Sequence, residues 1–215
     1  MNVRLIALTQ SCLPEVSTAE DLIVHNARVS NPNNQLNTLT GAKLLSYCIK
    51  HGHWSVFEQA DMTVEIKTSR AIAAQILRHK SFSFQEFSQR YSEAPGVEDV
   101  ELREQADKNR QSSTQTMSSR GFAGLVMRQA LAAAQKAYQD LLEQGVAREC
   151  ARMVLPLATS TTLYMKGSVR SWIHYMQVRR DEHTQKEHRL IADEIWKLFT
   201  EQFPVIATAI EDTEK

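Results

Sequence analysis

One unbroken helical pattern, in residues 121–144, most constrains how this chain can fold. Apolar side chains recur there every three or four positions, and Gly145 follows directly. A helix of that length needs an apolar stripe along one side, and glycine commonly closes such a helix, so we expect a core helix. The stripe consists of Phe122, Leu125, Val126, Leu131, Ala134, Tyr138 and Leu141.

Strand patterns occur elsewhere in the chain. Met62, Val64 and Ile66 alternate with polar residues, as in a half-buried strand, and residues 3–9 and 159–165 are rich in strand-forming side chains. The length of 215 residues suits one core. We therefore expect an α+β fold, a single domain over residues 1–215 with a small, mostly antiparallel sheet packed against several helices.

Short polar signals mark where further helices begin and end. Ser17 and Glu20 have capping-box spacing, Ser69 and Ser168 are candidate N-caps, and Gly52 can stop a helix. The helices expected from these signals cover residues 39–51, 69–79, 147–155 and 183–203, the last burying Leu190, Ile191, Ile195 and Leu198 before Pro204. A further helix is expected to begin at Ser168 and to carry Arg170 and His174. Residues 92–118 are polar, which predicts a surface excursion with a short helix.

Charge and cysteine content restrict the class of protein. Lys plus Arg and Asp plus Glu number 25 each, so no overall field draws the chain to nucleic acid or to a membrane. Cys12, Cys48 and Cys150 are too few and too widely spaced for a disulfide framework or a zinc site. We expect Cys150 to be a small apolar core residue. No segment could span a bilayer, so the chain is predicted to be soluble and cytoplasmic.

The segment 78–91 is the strongest functional signal. Arg78 and Arg90 supply planar, permanently charged forks suited to phosphate, and Ser88 with nearby backbone N–H groups can complete an oxyanion cradle. Glu86 would repel phosphate, so its role is to orient an arginine or to accept from a sugar hydroxyl or a base N–H. Aromatic residues lie between them. The segment therefore predicts a site for an anionic, ring-bearing ligand.

This segment resembles the signature of the flavin-dependent thymidylate synthases, an Arg-His-Arg motif followed at a fixed distance by Ser. Arg78, His79 and Lys80 stand at the motif, with Ser88 and Arg90 beyond it. Lys80 is a departure, because lysine keeps the charge and loses the bidentate fork. Further similarity lies in residues 51–58, 151–156 and 170–183, so that the blocks of resemblance, together with the motif, are distributed along most of the chain apart from residues 92–118.

The resemblance implies reductive methylation of dUMP to dTMP, with methylenetetrahydrofolate as carbon donor, NADPH as reductant and FAD as bound cofactor. It also implies a homotetramer with shared active sites. Because the sequence has no Rossmann fingerprint or Walker loop, FAD must be held in another way. The chemistry of electron transfer belongs to the cofactor, and the protein supplies position and electrostatics.

The resemblance also assigns roles to single residues. Arg179 would activate the base as the catalytic residue. The residues expected to bind dUMP are Gln75, Arg78, Glu86, Ser88, Gln89, Arg90, Arg152 and Arg179. The residues expected to bind FAD are His53, Ser55, Arg78, His79, Lys80, Glu86, Ser168, Arg170, His174 and His183. His174 replaces an amide common in the family, so it can donate only in a suitable tautomer or when protonated.

Other interpretations of the same residues remain open. His183, Glu187 and His188 lack the spacing of known zinc motifs, so no metal site is expected, and Glu187 and His188 are predicted to face solvent. The chain could be another flavin-dependent oxidoreductase or methyltransferase acting on a nucleotide. A single-stranded nucleic-acid-binding module would also use the basic and aromatic segment 78–91, although the zero net charge disfavours it.

Overall fold

The computed structural model describes residues 2–213 and has the predicted α+β class. Its strands are β1 (Asn2–Leu8), β2 (Asp61–Ser69), β3 (Ser83–Glu86), β4 (Arg103–Gln105), β5 (Ser113–Thr116) and β6 (Ser160–Ser168). Its helices are α1 (Ala19–Ala27), α2 (Gly41–Lys50), α3 (Arg70–Ile76), α4 (Phe122–Glu143), α5 (Arg148–Ala151), α6 (Val169–Arg179), α7 (Lys186–Gln202) and α8 (Pro204–Thr213).

The main sheet is small and antiparallel, with the strand order β1-β2-β6-β3. In β2 the alternating side chains Met62, Val64 and Ile66 are fully buried, which confirms the predicted strand. Trp172 of α6 donates its indole N–H to the Met62 carbonyl at 3.0 Å. The bond satisfies a buried donor and ties the helix to the strand that the apolar alternation predicts.

Contacts between residues divide the chain into two compact units. The α4 unit contains Asn2, Lys67–Arg78 and Gln85–Leu163. The α6 unit contains Val3–Ile66, His79–Phe84 and the chain from Tyr164 on. Within the α6 unit, α2 packs against α8 and α6 packs against α7, and these contacts bury the aromatic residues Phe199 and Phe203 completely.

Residues 92–118, all within the α4 unit, contain a hairpin and no helix. β4 and β5 pair antiparallel, with Arg103 opposite Thr116 and Gln105 opposite Ser113. The expected short helix is therefore wrong, although the segment is polar as predicted. The segment lacks the regular spacing of apolar residues that an amphipathic helix needs. Two strands can pair through backbone hydrogen bonds without such a spacing.

The start of α1 differs by one residue from the predicted capping box. Thr18, and not Ser17, is the N-cap, and its hydroxyl accepts from the Asp21 N–H at 3.0 Å and donates to the Asp21 carboxylate at 2.7 Å. The Glu20 carboxylate is buried and instead accepts from the Ile206 N–H at 2.8 Å. It therefore satisfies a free backbone donor in the first turn of α8.

Helix α4 confirms the predicted helix and differs in its burial. Of its side chains only Tyr138 is buried, together with Gly124, whereas Phe122 is 82% exposed. Leu125 and Val126 are also exposed. Periodicity establishes that one face is apolar and does not establish what covers it. Among residues 2–213, no helix combines the length and apolarity needed to cross a membrane.

The C-terminal region contains one helix more than expected. Pro204 does end α7, and it also begins α8, because proline at a first helical position loses no hydrogen bond. Ile191 and Ile195 are buried as predicted, but Leu190 is 44% exposed and Leu198 is half-buried. The buried face of α7 is completed by Trp196 and Phe199.

Candidate active site

Helix α3 leads into the motif and ends sooner than expected. The Ser69 hydroxyl caps it by accepting from the Ile72 N–H, which confirms the predicted start. The helix ends at Ile76, so Arg78 lies in the turn beyond it, where its N–H donates to the Gln75 carbonyl at 3.3 Å. The predicted helix over residues 69–79 is therefore too long at its C-terminal end, and of Gln75, Arg78 and His79 only Gln75 lies on it.

Glu86 is held by two partners within the α4 unit. Its Oε1 accepts from Arg70 Nη1 at 2.6 Å and from the Thr161 hydroxyl at 2.9 Å. The carboxylate does orient an arginine, as its chemistry suggests, but the arginine is Arg70, which no sequence motif singled out. Charge-assisted bonds of this kind are stronger than neutral ones, so Glu86 has a fixed position.

The turn after β3 presents the next three predicted residues. Ser88 and Arg90 are exposed, and the Ser88 carbonyl accepts from the Tyr91 and Ser92 N–H groups. Gln89 is 6% exposed, and its Nε2 has no hydrogen-bond partner among residues 2–213. A buried donor without a partner costs free energy, so this amide suits a ligand acceptor.

Glu149 brings together two of the arginines predicted to bind the nucleotide. Its carboxylate pairs with Arg90 at 3.0 Å, and its backbone carbonyl accepts from Arg152 Nε at 3.4 Å. The sequence signal for this contact is the spacing of three between Glu149 and Arg152. Cys150 beside it is exposed, which contradicts the predicted core position, because α5 is a single short turn with little apolar surface to bury.

In the α6 unit, Ser168, Arg170 and His174 occupy the start of α6. The Ser168 hydroxyl accepts from the Ser171 N–H at 3.3 Å, which confirms the predicted cap. Arg170 forms an ion pair with Glu58. His174, one turn after Arg170, packs against the Trp54 ring at 4.7 Å between centroids. Burial and the Arg170 charge both lower the His174 pKa, so its imidazole is neutral at pH 7.

His53 and Ser55 flank the start of the turn Trp54–Glu58. His53 is exposed, and its ring lies 5.6 Å from the Tyr47 ring. Ser55 lines an open cavity of about 450 Å³ within the α6 unit. The other lining residues are uncharged: Asn26, Ala27, Val29, Gln35, Val56 and Gln59. The cavity suits an uncharged polar part of a ligand.

The catalytic candidate Arg179 contacts the motif residue His79, although they lie 100 positions apart. Arg179 Nε donates to His79 Nε2 at 2.8 Å. Burial, and then the charge of Arg179, lower the His79 pKa to about 4, so the imidazole is a neutral acceptor at pH 7. The bond uses only Nε, so the two terminal amino groups of Arg179 are not engaged by it.

His188 is buried, which contradicts its predicted exposure. It is 0% exposed, and its Nε2 forms a 3.0 Å hydrogen bond with the hydroxyl of the buried Tyr175. Burial is the main reason that its pKa is lowered to about 3. The missed signal is the spacing of His188 to Ile191, Ala192 and Ile195, which places it on the apolar face of α7.

The remaining predicted residues, Lys80 and His183, are exposed. His183 Nδ1 lies 2.8 Å from Asp181 Oδ1, and this hydrogen bond raises the His183 pKa. Glu187, predicted to face solvent, is half-buried. Within residues 2–213, no group of three histidine, cysteine or carboxylate side chains is arranged to hold a metal ion.

Solved structures show similarity over almost the whole chain. A UMP/dUMP methylase, PolB, from Streptomyces cacaoi bound with 5-Br dUMP matches with a TM-score of 0.84 and 25% identity, covering 98% of this chain and 94% of that chain. The same methylase bound with 5-Br UMP matches with a TM-score of 0.82. The chain therefore has the fold of the enzyme class to which this methylase belongs.

Sequence comparisons identify the family. The family model described as thymidylate synthase complementing protein matches residues 12–205. A flavin-dependent thymidylate synthase from Synechocystis is 50% identical, covering 98% of this chain and 100% of that protein. A probable flavin-dependent thymidylate synthase from Paramecium bursaria Chlorella virus 1 is 47% identical, covering 98% and 99%. The chain belongs to this family, and the predicted resemblance is confirmed.

Proposed function

We propose that this chain catalyses the reductive methylation of dUMP to dTMP, taking the carbon from methylenetetrahydrofolate and the reducing equivalents from NADPH. The bond between Arg179 and His79 is the single observation that carries the mechanism, because it joins the base-activating candidate to the signature motif. A neutral acceptor fixes one nitrogen of Arg179 and leaves its terminal fork for the substrate. The proposed activity is also that of the family to which the chain belongs.

Arg179 is the residue that acts on the base. Its two terminal amino groups donate toward the uracil N3–C4 region and stabilise negative charge that develops there during reaction. His79 cannot compete as a cation, because its imidazole is neutral at pH 7. The guanidinium remains charged throughout, since arginine does not deprotonate in proteins.

The α4 unit supplies the groups for the nucleotide. Arg90 and Arg152, brought together at Glu149, bind the phosphate with Ser88 and Arg78, and Gln75 contributes an amide. Gln89 Nε2, which has no partner in the part of the chain that the structure describes, donates to a nucleotide acceptor. Glu86 Oε2 accepts from a sugar hydroxyl or a base N–H, because the partners of its carboxylate bind Oε1.

The donor set of the α6 unit fits FAD, which when bound carries reducing equivalents from NADPH. Lys80, Arg170 and His183 supply cationic or N–H groups for a pyrophosphate, and the uncharged cavity beside Ser55 takes an uncharged polar portion. His53, His79 and His174 contribute rings, and Ser168 a hydroxyl already fixed by the helix cap. Arg78 and Glu86, which belong to the α4 unit, are assigned to FAD by the family motif alone.

A second copy of the chain covers the exposed apolar face of α4 in this proposal, and the assembly is a homotetramer with shared active sites. Phe122, Leu125 and Val126 are exposed on α4, and Met153 and Leu157 are 79% and 71% exposed in the same unit. Several exposed large apolar side chains on one helix suit a protein interface. Light scattering after size exclusion tests it, and Phe122→Glu is expected to lower the mass.

The domain and the compartment are also proposals. We infer that residues 1–215 act as one domain of this family, since the family model spans both compact units. We place the protein in the cytoplasm because Cys12, Cys48 and Cys150 are all free thiols, as expected under reducing conditions. Small molecules, and not nucleic acid, are its partners, in keeping with its zero net charge.

Two measurements test the function. The protein as isolated should have a flavin absorbance spectrum that bleaches when NADPH is added. It should then release tritium from C5-labelled dUMP only when methylenetetrahydrofolate is present, because methylation replaces the C5 hydrogen. Labelled UMP serves as a parallel substrate. Flavin reduction without tritium release would instead indicate a different flavin-dependent oxidoreductase.

A further inference from the structure

Two buried polar residues of the α6 unit lie behind the His79–Arg179 contact. Tyr175 on α6 is 1% exposed and His188 on α7 is 0% exposed, and their hydroxyl and Nε2 are 3.0 Å apart. Neither residue belongs to the motif. Burying two polar side chains this deeply costs free energy of desolvation, which a hydrogen bond between them must offset. The hydrogen bond between the Tyr175 hydroxyl and His188 Nε2 offsets this cost and fixes both rings.

The fixed rings determine the orientation of His79. The His79 ring meets the Tyr175 ring edge-on, with centroids 4.9 Å apart and an interplanar angle of 73°. It is also nearly perpendicular to His188, at 6.3 Å and 88°, and to Phe82, at 6.4 Å and 86°. Edge-to-face packing is a preferred geometry for such rings. With neighbours on these sides, the imidazole has little freedom to rotate.

Phe82 is itself held tightly in this cluster. It is 8% exposed and lies against Trp172, with centroids 4.7 Å apart. A Cβ atom at Gly167 would come within 2.4 Å of the Phe82 ring, so the absence of a side chain there permits the approach. The Phe82 ring that contacts His79 is therefore part of the packed core and not a mobile surface group.

The orientation of His79 selects its tautomer. Because Arg179 Nε–H always donates, His79 Nε2 must carry the lone pair and Nδ1 the proton. Burial and the Arg179 charge lower the pKa of His79, and burial raises that of Tyr175, so the cluster stays neutral apart from Arg179. Tyr175 lies one helical turn before Arg179, so both reach His79 from the same face of α6.

We propose that Tyr175 and His188 are positioning residues, which hold His79 so that its Nε2 receives Arg179 Nε and aims the terminal fork of Arg179. The inference rests on the proposed role of Arg179. A guanidinium aimed in advance needs no reorganisation during reaction, so loss of the support should lower kcat more than it raises KM. Removing the hydroxyl by Tyr175→Phe should lower kcat about tenfold and change the KM for dUMP less than about twofold.

A double-mutant cycle separates positioning from general stability. Tyr175→Phe is made in the native enzyme and in Arg179→Ala, with tritium release as the rate. If the hydroxyl acts through Arg179, its removal should cost less than about twofold when Arg179 is already absent. Tyr138→Phe is the matched control, because Tyr138 is also buried and its hydroxyl accepts from the Ala94 N–H. The control should leave kcat unchanged.

The outcomes distinguish the two proposals. Native turnover in Arg179→Ala would overturn the proposed role of Arg179 and the positioning inference with it. Lost turnover in Arg179→Ala, combined with an equal cost of Tyr175→Phe in both backgrounds, would overturn the positioning inference alone. The double variant Tyr175→Phe/His188→Phe provides a second route, since it removes both polar partners of this hydrogen bond together.

A readout besides activity is the nitrogen NMR spectrum of histidine. With ¹⁵N-labelled histidine, and with His79→Gln used to assign the signal, the native enzyme should show His79 protonated at Nδ1 and unprotonated at Nε2. In Tyr175→Phe/His188→Phe the two signals should move toward the averaged values of exchanging tautomers. An Nε2-protonated His79 in the native enzyme, or an unchanged spectrum in the double variant, would contradict the inference.

Discussion

Arg90 in the α4 unit and Arg179 in the α6 unit are both predicted substrate arginines, and their supports differ. Arg90 pairs with Glu149 on the surface, where the two side chains are 66% and 55% exposed. Arg179 is half-buried and bonds to His79, whose ring packs against the buried Tyr175. An exposed ion pair is weak and rearranges easily, whereas a contact with packed rings is fixed in advance.

The two kinds of support suit two kinds of charge on a substrate. Phosphate carries its charge before, during and after the reaction, so arginines that bind it gain little from rigid placement. Charge on the base develops only as the reaction proceeds, and groups that stabilise it must already be aimed. We expect substitutions at the rigid arginine to affect kcat strongly and those at the exposed arginine to affect affinity mildly.

The largest effect is expected at Arg179. Arg179→Ala should retain flavin and lower dTMP synthesis about 10²–10³-fold, because a preorganised donor to developing charge is removed. Steady-state rates at saturating dUMP measure the loss of dTMP synthesis. The flavin absorbance of the purified variant measures the retention of flavin. Arg179→Lys is the matched control, which keeps the cation and loses the planar fork. Turnover equal to the native enzyme would remove Arg179 from the mechanism.

The buried pair should also appear in the pH dependence of stability. His188 faces Tyr175, His79 and Arg179, and its pKa in the folded state is lowered to about 3. Between pH 6.5, the ordinary pKa of histidine, and about 3, the unfolded chain binds a proton that the folded chain does not. The free energy of unfolding should therefore fall on acidification, by about 1.4 kcal/mol per pH unit for this group.

Urea titrations at several pH values can measure that slope. In Tyr175→Phe/His188→Phe the slope between pH 6.5 and 4.5 should be smaller by about one proton, because the titrating group is gone. Tyr138→Phe again serves as control, with an unchanged slope. An identical slope in the native enzyme and the double variant would show that His188 is not held neutral.

A smaller effect is expected at Arg70, which fixes Glu86. Arg70→Ala removes a charge-assisted bond of 2.6 Å, so the carboxylate should lose its orientation and dUMP binding should weaken about fivefold to tenfold. Calorimetric titration with dUMP measures the loss. Arg70→Lys should recover part of it, because a cation remains. Unaltered affinity in Arg70→Ala would mean that Thr161 alone is sufficient to hold Glu86.

Lys80 tests whether the exposed cation of the motif serves the cofactor. Lys80→Ala should raise the dissociation constant for FAD about threefold to fivefold and change that for dUMP less than about twofold, since one partly solvated charge is lost. Fluorescence titration of the apoprotein with FAD gives the first value. Lys80→Arg, which restores the fork, should bind FAD at least as tightly as the native enzyme. Impaired dUMP binding with unchanged FAD binding would reverse the assignment.

The smallest effect is expected at the surface pair. Glu149→Gln should change the free energy of unfolding by less than about 1 kcal/mol, because both partners are largely solvated. Its effect on dUMP affinity should stay within about threefold and diminish with added salt. A loss of dUMP affinity greater than about tenfold would show that Arg90 is as rigidly aimed as Arg179. The two regions would then not differ in rigidity as described.

Local signals in the sequence predicted much of the fold. The strand around Met62, the caps at Ser69 and Ser168, and the stops at Gly52 and Gly145 are confirmed, and both glycines have positive φ. Each is signalled by residues within a few positions of it in the sequence. The hairpin in residues 92–118 and the burial of α4 depend on pairing or covering surfaces that a local pattern does not specify.

In the candidate site, too, some features could be predicted from the sequence and others could not. Motif similarity gave the predicted ligand residues, but their roles remain proposals, and it gave none of the supporting residues Arg70, Glu149 and His188. Arg70 bonds to a distant segment, so no spacing rule identifies it, and Glu149 had only its spacing of three from Arg152. His188 had one signal, its place on the apolar face of α7, which favours burial over the predicted exposure.

The most direct test of the account is tritium release from C5-labelled dUMP by Arg179→Ala and by the native enzyme, with NADPH and methylenetetrahydrofolate both present. We predict rapid release by the native, flavin-containing enzyme and about 10²–10³-fold slower release by the variant with its flavin retained. Equal rates in the two proteins, or no release by the native enzyme, would contradict the account.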